Sequence, residues 1–234
     1  MTFDSDERRV DYAMIYSKAN EILATSSCIE TFPFKFSKVI KEQTDIVLCS
    51  YAKAFNKFGL SKNTFRSESA ELKEMDGAYI IFYNNEEPDY RIRFSIGHEL
   101  GHYLFHHKMN LKRTDSLYRK QEVEANCFAA QLLMPEQIIR QVSRRGKMIS
   151  VDFIMNTFKV SEEASRKRRA TLAKYEYEWR RREEIEYDDI ILTRFEPFID
   201  KIAPKNVKLY YDYDYEESRQ KERDSWMDSR CRWN

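Results

Sequence analysis

Apolar positions along this chain recur mostly every three to four residues, the spacing of helices with one buried face. Residues 6–25 carry Val10, Ala13, Met14, Ser17, Ile22 and Leu23 in that pattern, and Phe36 to Thr44 reads as a short helix. Ile46 to Tyr51 reads as a strand or as the end of that helix. Residues 57–76 are polar, with Gly59 and several serines, and predict a loop over a sheet. Gly77 to Asn85 is rich in β-branched and aromatic residues and ends in a turn signal, so it predicts a strand. A helix is expected over about 90–107, then a loop over 108–118. The next helix spans about 119–134, with Val123, Cys127, Ala130, Leu133 and Met134 at helical spacing. Pro135 ends that run and opens a further helix to about Arg144. The fold class is α+β: mostly helical, with a small antiparallel sheet and a helical C-terminal region.

The chain has four histidines, and all lie in the segment Ile96-Gly97-His98-Glu99-Leu100-Gly101-His102-Tyr103-Leu104-Phe105-His106-His107. On a helix, His98 and His102 project from one face, one turn apart. Two imidazoles so placed can share one tetrahedral zinc, with Glu99 beside it to take a proton from bound water. Gly101 lets another element approach the helix closely. His106, one turn further on, suits a supporting role better than direct ligation, and His107 points elsewhere, toward the surface.

A catalytic zinc needs a third protein ligand and an open position. The helix around residues 119–134 offers Glu122 and Glu124. Either can be a ligand, or both can solvate the start of a helix and favour its dipole. Tyr79, Tyr103, His106 and His107 are candidate donors to an oxyanion. The Gly77–Asn85 strand is a candidate cleft wall, to which a peptide substrate could add by main-chain hydrogen bonds.

His98-Glu99-Leu100-Gly101-His102, followed by Glu122-x-Glu124-Ala125-Asn126-x-Phe128-Ala129-Ala130-x-Leu132-Leu133-Met134-Pro135, resembles the ImmA/IrrE family of metallopeptidases. The resemblance is strongest over residues 78–135 and weaker over about 10–172. It implies a zincin-like domain over residues 1–144, with His98, His102 and Glu124 as zinc ligands and Glu99 as catalytic glutamate. Glu122 is the fallback ligand. It also implies a protein substrate, namely a helix-turn-helix repressor or similar regulator of transcription. In that chemistry Zn²⁺ brings the pKa of its water toward ~7, and Glu99 carries the proton to the leaving amine. The same ligands accept Mn²⁺, Co²⁺ or Ni²⁺.

Hydrophobic residues at 42% and aromatics at 14% exclude global disorder. A formal net charge of +1 gives no overall pull toward nucleic acid or membrane. The N-terminus does not read as a signal peptide, and no apolar run approaches a membrane span. Cys28, Cys49, Cys127 and Cys231 form no C-x-x-C pair, which suits a reducing cytoplasm.

Charge is uneven toward the C-terminus. Between Arg140 and Arg182 there are 13 Lys/Arg against 5 Asp/Glu, and from Glu183 onward 9 against 14. Residues 145–182 read as a basic, helix-turn-helix-like segment, with Ser161 capping a helix that carries Arg166-Lys167-Arg168-Arg169. DNA contact is the minor reading of it; a solvated face or an internal charge match competes. A regulatory or DNA-binding protein that uses the peptidase-like domain as sensor or scaffold is therefore the alternative function. Residues 183–234 read as a charged, aromatic tail.

Overall fold

A computed structural model describes residues 10–109, 111–174, 182–205 and 220. The chain divides into units at Met1–Pro204 and Lys205–Asn234. Only Lys205 and Gln220 of the second unit are described. The aromatic, acidic run Tyr210–Glu217 and the stretch holding Trp226 and Trp233 lie outside the described residues.

The first unit runs α1 (Tyr12–Thr25), α2 (Phe36–Gln43), β1 (Val47–Ser50), α3 (Tyr51–Phe58), β2 (Ala70–Met75), β3 (Ala78–Tyr83) and α4 (Asp89–Leu104). It continues with α5 (Ser116–Leu133), α6 (Glu136–Arg144), α7 (Val151–Phe158), α8 (Glu162–Lys174), α9 (Arg182–Ile185), α10 (Asp188–Arg194) and α11 (Glu196–Ile202). The architecture is α+β and mostly helical, as the periodicity predicts.

The sheet order is β1-β3-β2. β2 pairs antiparallel with β3, but β1 pairs parallel, so the sheet is mixed and not purely antiparallel. β2 falls where the sequence predicts a loop. Its buried Ala70 and Leu72 alternate with Glu71 and Lys73, a pattern too short and too charged to stand out. The overlooked signal is Asp76-Gly77. Both residues take positive φ, 52° and 76°, and link β2 to β3 in a two-residue hairpin turn. This moves the cleft wall: β3 is paired on both sides and has no free edge, whereas β2 is an edge strand.

The core lies where α1 packs on α5, with Ile15, Ala19, Leu23, Phe128, Leu132 and Leu133 fully buried. Phe32 sits among Phe158, Phe195 and Phe198, with ring centroids 5.5, 5.1 and 5.4 Å away. Residues 188–203 therefore do not belong to a tail. Ile191, Phe195, Phe198 and Ile199 form a buried stripe at helical spacing that closes this core.

A buried polar network joins five helices. Gln131 donates to Asn20 at 2.7 Å and to Gln137 at 3.0 Å, and Gln137 donates to Asp188 at 2.8 Å. Arg168 of α8 reaches into it, donating to the Met134 carbonyl at 3.0 Å, to Tyr16 Oη at 3.0 Å and to Gln131 Oε1. The helix–turn–helix order of α7 and α8 holds, and Ser161 Oγ accepts from Ala164 N at 3.1 Å as the cap. The basic run is not one surface, however. Arg168 is 3% exposed, while Arg166 and Lys167 are exposed and paired with Glu162 and Glu163 one turn earlier.

Candidate metal centre

Small residues set the distance between α4 and α5. A Cβ at Gly101 would lie 3.1 Å from the Ala125 Cα, and one at Gly97 would lie 3.4 Å from the Ala129 Cβ. The two helices run antiparallel at close approach, which lets short acidic and amide side chains of α5 reach the histidines of α4.

His98 and His102 stand one turn apart with their Nε2 atoms 3.0 Å from each other. Glu122 faces both, its oxygens 3.6 Å from His98 Nε2 and 3.5 Å from His102 Nε2. Two imidazole nitrogens this close share either a proton or a cation. Zn–N bonds of about 2.0–2.1 Å at the tetrahedral angle separate the nitrogens by roughly 3.3 Å, so the donor set fits zinc. His98 Nδ1 is 3.1 Å from Asn126 Oδ1, one turn beyond Glu122, which puts the ring proton on Nδ1 and the lone pair on Nε2. Burial first, and then the neighbouring His102, push the His98 imidazolium down to about 4 against the pull of Glu122. The ring is neutral, and free to ligate, at neutral pH. For Glu122, burial acts upward but is outweighed by hydrogen bonds from His102 and Tyr118 and by the electrostatic pull of the two imidazoles, so its carboxyl is lowered.

Glu99 occupies the other flank. Its Oε2 accepts from the Leu72 N–H of the edge strand at 2.9 Å. Burial lifts its carboxyl to about 7, the opposing pull of His102 and of Leu72 N–H being smaller. A cleft of about 910 Å³ opens over this group, walled by β2 and by Tyr118.

Glu124 does not join His98 and His102. It sits about 200° around α5 from Glu122. It faces the end of α4, where its Oε2 lies 3.2 Å from His107 Nε2 and its Oε1 lies 3.8 Å from Lys120 Nζ. The geometry thus favours Glu122, the fallback, as third ligand. The roles expected of the last two histidines are also reversed. α4 stops at Leu104, and His106 takes a left-handed φ of 51°. His106 N–H then bonds the Tyr103 carbonyl and His107 N–H bonds the His102 carbonyl, at 3.1 and 3.0 Å, closing the helix in a Schellman arrangement. The reversal exposes His106 and turns His107 inward, to 8% exposure, with its Nδ1 2.9 Å from His102 Nδ1. Extrapolating helical phase past Leu104 misplaces both.

Residues 51–169 match the model of the IrrE N-terminal-like domain, a peptidase family. The chain belongs to this family. A search of curated proteins returns no match. The IrrE-like region carries every residue of the cluster and its supports, and ends before α10 and α11. Among the described residues of this IrrE-like chain, no helix is long and apolar enough to cross a membrane.

Two residues of the site were not singled out from sequence. Asn126 orients His98, and its signal was the i, i+4 spacing from Glu122. Tyr118 lies one turn before Glu122 and hydrogen-bonds it; burial, then the Glu122 charge, raise the phenol. Of the tyrosines singled out, Tyr79 and Tyr103 stack edge to face at 5.1 Å and do not line the cleft.

Proposed function

We propose that this chain is a zinc-dependent endopeptidase that hydrolyses a peptide bond in a regulatory protein, a helix-turn-helix transcriptional repressor being the substrate the family resemblance suggests. The observation that carries the reading is the convergence of His98, His102 and Glu122 on one point beside Glu99. Zinc held there would supply a water of lowered pKa and polarise the scissile carbonyl.

The chain's own groups perform the rest. Glu99 accepts the proton of the attacking water and returns it to the leaving amine. The outward face of β2 offers main-chain donors and acceptors along the cleft, so an extended peptide can add as a further strand. Such a strand would compete with Glu99 for the Leu72 N–H and turn the carboxylate toward the metal. Tyr118 lines the cleft with its hydroxyl on Glu122, and it would donate to the developing oxyanion on exchanging that partner; both ring nitrogens of His107 are engaged away from the cleft. Arg168 is buried and Arg166 and Lys167 pair with Glu162 and Glu163, which reduces the unpaired basic surface offered by the α8 run 166–169 and weighs against a DNA-binding role, although Arg169 and Lys174 stay exposed.

The test is protein purified without added metal, assayed for zinc and for cleavage of a co-expressed repressor. The expected result is one zinc per chain and cleavage that stops in Glu99→Gln while zinc stays bound. Wild-type zinc content in the His98→Ala/His102→Ala double variant would overturn the reading.

A further inference from the structure

His107 and Glu124 form a buried pair that ligation does not use. Glu124 is 5% exposed and His107 8%; His107 packs against His102 at the edge of the cleft, and Glu124 lies behind it, out of the cleft lining. Two polar side chains kept out of water need a reason, and their contacts run in one line: His102 Nδ1 to His107 Nδ1 at 2.9 Å, then His107 Nε2 to Glu124 Oε2 at 3.2 Å.

The line admits one arrangement of protons. If His102 offers the lone pair of Nε2 to a metal, its neutral ring carries the proton on Nδ1. That N–H points at His107 Nδ1, which must therefore accept. The proton of His107 is then on Nε2, and Nε2 faces the Glu124 carboxylate, an acceptor. Any other tautomer sets two N–H groups, or two lone pairs, against each other at hydrogen-bond distance. The Schellman closure of α4 fixes the ring of His107 in place, because its own N–H is held by the His102 carbonyl.

We propose that His107 and Glu124 are positioning residues that lock His102 as the Nδ1-protonated tautomer with Nε2 aimed at the metal; this rests on the reading of His98, His102 and Glu122 as ligands. The second acid of the Glu122-x-Glu124 pair is thereby a supporting residue and not an alternative ligand. His98 is held more simply, by Asn126 alone.

The test is a zinc titration against a competing chelator, with the melting temperature of the zinc-free form measured alongside. His107→Phe fills the volume but can neither accept nor donate. It is expected to weaken zinc affinity roughly 10- to 100-fold, the usual loss of a ligand's supporting partner; the stranded Glu124 should also lower zinc-free stability, which the melting temperature reads separately. His107→Gln, which can do both, should recover most of it. Nitrogen NMR of the wild-type zinc form supplies a readout independent of folding in the variants, with protons expected on His107 Nε2 and His102 Nδ1. A proton on His107 Nδ1 would overturn the proposal, as would loss of zinc in Glu124→Ala as complete as in His102→Ala. Zinc retained in both His98→Ala and Glu122→Ala would remove the ligand reading itself. Zinc lost in those two but bound normally by His107→Phe would remove only the positioning role.

Discussion

The α4–α5 pair and the α7–α8 pair are both two-helix units that bury charge, and they do it to opposite effect. In the second, Arg168 meets a carbonyl, a phenol and an amide oxygen, and its hydrogen-bonding capacity is spent within the protein. In the first, two imidazole nitrogens and a carboxylate converge with space between them and a cleft in front. A buried charge that is fully matched is a structural joint. A half-buried cluster that is left incompletely matched is a place for a ligand, because its cost is recovered only when the ligand arrives.

The largest expected effect is at the incompletely matched end. Glu99→Gln removes the proton acceptor and should lower kcat/KM for peptide cleavage by about 10²- to 10⁴-fold with metal content unchanged. Retained turnover would mean that another group takes the proton. At the matched end, Arg168→Ala strands three acceptors and should lower unfolding free energy by about 3 kcal/mol in denaturant titration. Arg166→Ala or Lys167→Ala loses only an exposed i, i+4 pair and should cost about 0.3–0.5 kcal/mol. Equal effects for the three would erase the distinction drawn for α8.

Gly101→Val probes the helix spacing on which the first pair depends. Overpacking against Ala125 and Phe128 should cost about 1–3 kcal/mol. Zinc affinity should fall as well, because Glu122 rides on the displaced helix. Unchanged affinity would show that the ligands adjust independently of the crossing.

The smallest effect is at a charge that is matched but exposed. Hydrogen bonds from Ser26 and Ser27 hold the Glu42 carboxyl down at about 2, against an ordinary 4.5. A lowered folded-state value contributes stability above pH 4.5 that is lost as pH falls toward 2. Acid denaturation of Glu42→Gln should therefore be shallower through that window, with little change at neutral pH. An identical acid limb would show that solvent already screens the contact.

Much of the site was legible because its chemistry is local. His98 and His102 share a helix face by spacing alone, with Glu99 beside them, and Gly101 announced a close crossing before its partner was known. The long helices were legible for the same reason, as periodicity is a property of neighbours in sequence. β2 was missed because an edge strand needs charge and so resembles a loop, although the Asp76-Gly77 turn marked it. The stripe Ile191, Phe195, Phe198 and Ile199 was missed because the acidic residues around it masked a helical period.

By itself, then, the sequence determined which residues could ligate a metal and which helix carries each of them. It could not decide between Glu122 and Glu124. Two residues apart on a helix they point to opposite flanks, and only the antiparallel crossing of α5 on α4 selects the flank that meets His98 and His102. It likewise could not tell His106 from His107, since the left-handed residue that ends α4 breaks the helical phase on which any such choice depends. The depth of Arg168 was beyond it too: burial belongs to the packing of α8 against α5, 37 positions back at Gln131, and against α1, 152 positions back at Tyr16.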